Sequence, residues 1–384
     1  MFQKMVNSLR SISSQHIQHQ TFKGRSESRD NNFDFLRFAL ATLVIFSHSY
    51  PLLGVDAQEP IRLITGFSGG FIAVSGFFII SGFLIAGSWQ HSRSLWSYTR
   101  KRFLRIYPGF TVALLFCMVI VCPLGGANLA THFHNREAWR FVYHSLLLGQ
   151  PPGIVGVFQY NPSPGAINGS LWTIRYEIAC YILVAISGLL GVLRKRFLIL
   201  SLFIGAYALN LHFYNSNEAV RLLTYFLAGV VFFCYREVIP YSRFLFLVSV
   251  VAMACCFGKH FMIASPIIGT YLLFYVAFSR RLHLHRFGRY GDFSYGVYLY
   301  AFPVQQLLIY YIKPHHVLLP TELFLLALPV TLGLAVLSWF CVEKPSLNKK
   351  ESNHTSHTKS RVGVVPACVE SVGENKEQPD RSTG

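Results

Sequence analysis

Asp34-Phe35-Leu36-Arg37-Phe38-Ala39-Leu40-Ala41-Thr42-Leu43-Val44-Ile45-Phe46-Ser47-His48-Ser49-Tyr50-Pro51-Leu52-Leu53 is apolar almost throughout, yet it carries an arginine and a histidine. A helix that crosses a bilayer needs about 20 mostly apolar residues, with about 17 to 25 tolerated. Residues 35–53 meet that length. Ionisable groups are costly in hydrocarbon, so Arg37 and His48 are functional candidates by position alone. The eleven steps between them overshoot three helical turns by only about 20°. Both side chains therefore share one stripe of the helix, about 16 Å apart along its axis.

Nine further runs of this kind follow, at 66–87, 103–124, 170–193, 197–213, 219–235, 243–258, 261–279, 293–312 and 322–342. The fold class expected is an all-α integral membrane protein with about ten transmembrane helices. Composition agrees: the 384 residues are 52% hydrophobic and 13% charged, where a soluble domain carries about a quarter charged residues. The formal net charge of +17 would suit nucleic acid, but the Lys and Arg sit at the ends of apolar segments, as membrane topology requires, and no nucleic-acid partner is expected. Seven of the eight cysteines lie inside apolar runs with no metal-ligand spacing, so neither disulfides nor a metal are expected.

Phe244 to Phe278 is nearly continuous and could form one helix. Lys and Arg concentrate on the cytoplasmic side, which decides the matter. Ten spans with the amino terminus inside put nineteen cations on the cytoplasmic face and only Arg62, Arg136, Arg140, Lys259 and Lys313 outside. Fusing the two helices would move the Arg280–Arg289 cluster outside, so two helices and cytoplasmic termini are expected. Residues 1–32 read as a polar cytoplasmic segment, 33–345 as the membrane domain and 346–384 as a disordered cytoplasmic tail. The loop from about 125 to 169 is the longest external one; its stretch Trp139 to Leu148 is too short to span.

Three further regions carry candidate chemistry. Arg100-Lys101-Arg102 with Arg105 places two guanidinium forks three residues apart, on one helix face, where they can grip phosphate oxygens. Glu177 interrupts an otherwise apolar helix, and Arg175, two residues away, lies on another face and does not account for it. Gly82, with Gly69, Gly70 and Gly76, suits close approach of helices, while its neighbour Ser81 is placed to line a cavity.

In order along the chain, Asp34-x-Leu-Arg37 with His48, Ser81-Gly-Phe-Leu-Ile85, Arg102-x-x-Arg105-Ile-Tyr-Pro108, Ser170-Leu-Trp172 with Glu177 and Tyr181, Ser294-Tyr-Gly-Val-Tyr-Leu299 and Glu343-Lys-Pro345 together resemble the acyltransferase-3 family over residues 33–345. The resemblance implies a ten-helix O-acyltransferase of the bacterial inner membrane. Such an enzyme moves an acyl group, by default acetyl from acetyl-CoA, to a hydroxyl of a carbohydrate such as O-antigen, exopolysaccharide or a Nod-factor-like glycan. It makes Arg37 and His48 essential and links the pair Arg102 and Arg105 to the acyl donor. Glu177 joins them as a catalytic candidate and Arg100 as a donor-binding one, with Asp34, Ser81, Ser170, Trp172 and Tyr181 as supporting candidates. Acetyl-CoA is then a co-substrate, the glycan acceptor and membrane lipids are the other partners, and no resident cofactor or fused esterase domain is expected. Two positions depart from the family pattern: Phe38 stands where Gly is usual, and Ala301 where a late His is common. The rival reading is a secondary transporter with a relay through His48, Glu177 and Arg37. It would call for two repeated halves, and residues 1–193 and 194–384 show no convincing repeat.

Overall fold

The structure is a computed structural model describing residues 21–26, 31–128, 132–150, 152–213 and 216–348. The terminal segments expected at 1–32 and 346–384 lie largely outside the described residues. Among the described residues the chain is all-helical, apart from an isolated bridge between Thr21 and Pro240.

The longer helices are α1 (Phe33–Leu52), α2 (Gly69–Gln90), α3 (Leu95–Phe116, continuing to Leu124), α4 (Ile174–Leu189), α5 (Arg196–His212) and α6 (Glu218–Tyr235). They are followed by α7 (Arg243–Ala254), α8 (His260–Ala277), α9 (Ser294–Ile312) and α10 (Pro320–Ser338, continuing to Asn348). Seven of these, α1, α2, α3, α4 with its preceding turn, α6, α8 and α10, are long and apolar enough to cross a membrane. Helices α5 and α7 are apolar but shorter, and α9 has the length but is diluted by Tyr295, Tyr298, Tyr300, Gln305 and Gln306. The protein is a multi-pass membrane protein by this architecture.

Most boundaries shift by a few residues from those expected, and two shift furthest. Helix α3 starts at Leu95, not 103, because Ser94 caps it by accepting from the Ser97 backbone N–H at 3.2 Å. The whole arginine cluster, Arg100 included, thus lies within the helix. The last helix runs on to Asn348, past 342, through a wide turn at Trp339–Glu343 just before Pro345. Similar wide turns at Cys117–Val121 and Ser265–Gly269 also sit beside or contain a proline, where they absorb the clash its ring makes with the preceding turn.

The long apolar stretch after Phe244 is broken, as the loop charges required, between Ala254 and Lys259. The break is fixed from outside: Gly258, at φ +54°, donates its N–H to the Thr65 carbonyl at 3.0 Å. A Cβ on Gly66 would stand 2.9 Å from Gly258 Cα, so the two turns meet backbone to backbone.

Small residues govern the core. A Cβ on Gly82 of α2 would fall 2.0 Å from the Phe226 carbonyl oxygen of α6, and one on Gly229 of α6 would fall 2.0 Å from the Ile79 oxygen of α2. The two backbones touch at reciprocal glycines, the use expected of Gly82. Helix α1 packs on α2, α9 and α10, which puts its polar stripe inside the bundle. The loop after residue 152 is pinned to α9. Asn161 Nδ2 bonds the Gln306 side-chain oxygen at 2.8 Å, and Asn168 Nδ2 bonds the Leu299 carbonyl at 2.8 Å. Within the long loop, Arg136–Leu146 is a short amphipathic helix with Phe141 and Val142 buried and Trp139 and Tyr143 exposed.

Candidate active site

A cavity of about 870 Å³, part of it open to the outside, lies among α1, α2, α3, α4 and α9. Arg37, Ser81, Arg102, Arg105, Glu177 and Tyr181 line it together, joined by Thr173, Ser294, Tyr295 and Tyr298. Three guanidiniums against one carboxylate give the lining a net positive charge.

The arginines come from two helices. Arg37 on α1 bonds Asp34 at 2.5 Å, one turn earlier, and lies 3.2 Å from Asp292. Arg105 on α3 also bonds Asp292. Burial alone would raise the Asp292 carboxyl, but the Arg105 and Arg37 guanidiniums and the Ser294 hydrogen bond outweigh it and hold it well below the usual carboxylate range. Arg102, one turn before Arg105, reaches back to Ser88 Oγ at 3.2 Å and lies 5.8 Å above the Tyr181 ring. Its Nε is buried with no hydrogen-bond partner among the described residues, leaving a donor for a ligand.

On α4, Glu177 accepts the Tyr181 hydroxyl, one turn on along the same face. Arg175 points elsewhere: it bonds Tyr176 Oη at 2.8 Å and stacks over that ring at 4.6 Å, so it leaves Glu177 to the cavity. Thr173 Oγ1 and Tyr298 Oη share a 2.8 Å hydrogen bond at the α4–α9 side.

The remaining expected residues stand apart. His48 does not line this cavity; it lies further along α1, with its ring edge-on to Phe302 at 5.5 Å. His48 Nδ1 is buried and without a partner among the described residues. Gln305 of α9 brackets that turn of α1, bonding the Ile45 carbonyl at 2.9 Å and Ser49 Oγ at 2.8 Å. Ser170 is fully buried with its Oγ unpartnered among the described residues, next to Gly169, where a Cβ would fall 2.4 Å from the Phe302 ring. Phe302 thus packs against both the His48 ring and the chain at Gly169. Trp172 packs edge-on to Tyr176 at 5.8 Å, and Arg100 is half-buried on α3; neither lines the cavity.

Three polar residues escaped the sequence analysis. Asp292, the shared partner of Arg37 and Arg105, sits in a loop where an acidic residue is ordinary. Glu343, named there only as part of a motif, is buried in α10, accepts from Ser338 Oγ at 3.0 Å and has its Oε2 unpartnered among the described residues. Arg221 is buried inside α6, bonded to Glu218 and stacked over Phe71 at 4.4 Å. Arg221 and Glu343 could have been found, since each lies inside or at the end of an apolar run.

Comparison with known proteins fits this architecture. The family model described as an acyltransferase domain matches residues 30–340. An O-acetyl transferase of Shigella phage Sf6 is 31% identical over 341 residues, covering 84% of this chain and 97% of that protein. Nodulation protein 10 of Rhizobium leguminosarum bv. viciae is 26% identical over 364 residues, covering 85% of this chain and 96% of that protein. No solved structure gives a significant match. With the family pattern spanning the helices that build the cavity, the chain belongs to the acyltransferase 3 family and is a membrane-bound O-acyltransferase.

Proposed function

We propose that this enzyme transfers an acetyl group from acetyl-CoA to a hydroxyl of a cell-surface or secreted glycan, such as O-antigen, exopolysaccharide or a Nod-factor-like glycan. In this reading it sits in the bacterial inner membrane with ten spans and both termini cytoplasmic. The loop-charge bias supports that orientation, which places Arg37, Arg102 and Arg105 toward the cytoplasm, where acetyl-CoA is made.

The observation that carries the reading is the cavity itself, in which guanidiniums from α1 and α3 converge on one space while His48 lies further along the same α1 stripe. Arg37, Arg102 and Arg105, with Arg100 beside them, bind the phosphates of acetyl-CoA by charge-assisted hydrogen bonds. The pantetheine arm runs along the stripe and brings the thioester toward His48, about 16 Å from Arg37 along the helix. The glycan hydroxyl oxygen attacks the thioester carbonyl, so a C–O bond forms and the C–S bond breaks. His48, with its unpartnered Nδ1, takes the hydroxyl proton and returns it to the departing CoA thiolate. Glu177, held by Tyr181, supplies a carboxylate on the facing helix to position the reacting groups.

The test is transfer of label from acetyl-CoA to the host cell's own glycans in membranes carrying equal amounts of wild type or His48→Ala. Loss of a general base lowers transfer by about 10²–10⁴-fold. Transfer that persists near the wild-type rate removes His48 from the centre of the mechanism. Arg102→Ala with Arg105→Ala raises the KM for acetyl-CoA, and an unchanged KM returns those arginines to the role of interface anchors.

A further inference from the structure

Asp292 precedes α9 and divides its two carboxylate oxygens between two tasks. Oδ1 accepts the Ser294 backbone N–H at 3.3 Å and the Ser294 hydroxyl at 2.5 Å, which ties the side chain to the first turn of α9. Oδ2 receives Arg105 Nη2 of α3 and lies 3.2 Å from Arg37 Nη2 of α1. One carboxylate therefore joins three helices. It is also the least exposed of the three side chains, at 10% against 22% for Arg37 and 21% for Arg105.

The division of donors points to a purpose. Both guanidiniums meet Asp292 through Nη2, and among the described residues neither Nη1 donates a hydrogen bond. Both arginines line the cavity, so each keeps donors for a ligand there. Two cations brought to one point repel, and each long side chain loses rotamer freedom when fixed. A buried carboxylate between them offsets the repulsion and fixes the geometry before any ligand arrives.

We propose that Asp292 is the positioning residue of this site, holding Arg37 and Arg105 side by side so that their remaining N–H groups form a single seat for a phosphate of the acyl donor. This rests on the reading of those arginines as donor-binding. Asp292 itself touches no substrate, and acts through the two guanidiniums.

The test uses the purified full-length protein and two readouts. Steady-state transfer from acetyl-CoA is measured for wild type, Asp292→Asn and Asp292→Glu, and the reactivity of individual arginines toward phenylglyoxal is followed by peptide mass spectrometry without substrate. Asp292→Asn should raise the KM for acetyl-CoA by about tenfold or more while kcat changes far less, since a charge-assisted tie is lost at the donor seat alone. Asp292→Glu should recover part of that loss, and phenylglyoxal should modify Arg37 and Arg105 faster in Asp292→Asn. A KM that stays put while kcat falls, or a Glu variant no better than Asn, overturns the positioning role. Arginine reactivity that does not change overturns it as well, whatever the enzyme's donor. Faster modification with an unaltered KM instead sinks the donor seat, and the proposal with it, because the arginines would then be shown to move without consequence for acetyl-CoA.

Discussion

Tyr181 donates to Glu177 from one turn away, and that bond leaves the carboxylate facing the cavity instead of seeking a cation. Tyr181→Phe removes the donor and leaves a Glu177 oxygen without that partner, which costs about 1–3 kcal/mol for a buried group left unsatisfied. Transfer by that variant, assayed with labelled acetyl-CoA, should fall by about tenfold or more; a wild-type rate would make the pair structural. Asp292 yields a prediction about acid. Its carboxyl is depressed in the folded protein by Arg105 and Arg37, so its contribution is fully present above the unfolded value of about 3.9 and fades as pH falls through the folded one. The difference in Tm between wild type and Asp292→Asn should therefore hold steady from about pH 8 to about pH 5 and shrink only below about pH 4. A difference that disappears between pH 7 and pH 5 would assign the effect to another group.

Helix α2 meets α6 backbone to backbone at Gly82 and Gly229, with ring contacts such as Phe83 on Phe233 beside them, and the geometry ranks the substitutions. At Gly82 an added Cβ collides with the Phe226 carbonyl, which cannot move without shifting α6. Overpacking of this kind costs about 1–3 kcal/mol, so Gly82→Ala should lower the Tm of the detergent-solubilised protein clearly. Gly87→Ala meets the Phe233 ring at 3.2 Å, a side chain that can give, and should be milder. Gly205→Ala on α5 has no neighbour within 4 Å; a helical glycine costs about 0.5–1 kcal/mol relative to alanine, so this variant should be neutral or slightly stabilised. Equal Tm values for Gly82→Ala and Gly205→Ala would contradict the close approach. Some of this was legible beforehand. Gly82 stood out as a small residue in an apolar run, and loop charges separated α7 from α8. The start of α3 was not legible, because a cap at Ser94 is a local hydrogen bond that hydropathy does not register.

Across the whole molecule, seven helices have the length and apolarity to span while α5, α7 and α9 fall short on one or the other. The ten-span reading places the loop at Leu282 inside and the loop at Val317 outside, both partly or largely exposed. In a cysteine-free background, a membrane-impermeant thiol reagent added to intact cells should label Val317→Cys and spare Leu282→Cys. Labelling of both would require a different number of crossings, and the reverse would overturn the orientation. The amino-terminal segment also joins the bundle: Phe22 is buried among Phe232, Tyr241, Tyr271 and Phe278, which no apolar run announced. The sequence by itself determined the solvent, the helical class, the family pattern and the shared stripe of Arg37 and His48. Each of these follows from a period along one chain segment or from the cost of charge in hydrocarbon. Only the tertiary structure decided that Arg37, Arg105 and Asp292 form one cluster, that Glu177 faces the arginines while Arg175 does not, and that His48 sits apart against Phe302. Those relations depend on how five helices are rotated and packed against one another, which local periodicity leaves open and interhelical contact fixes.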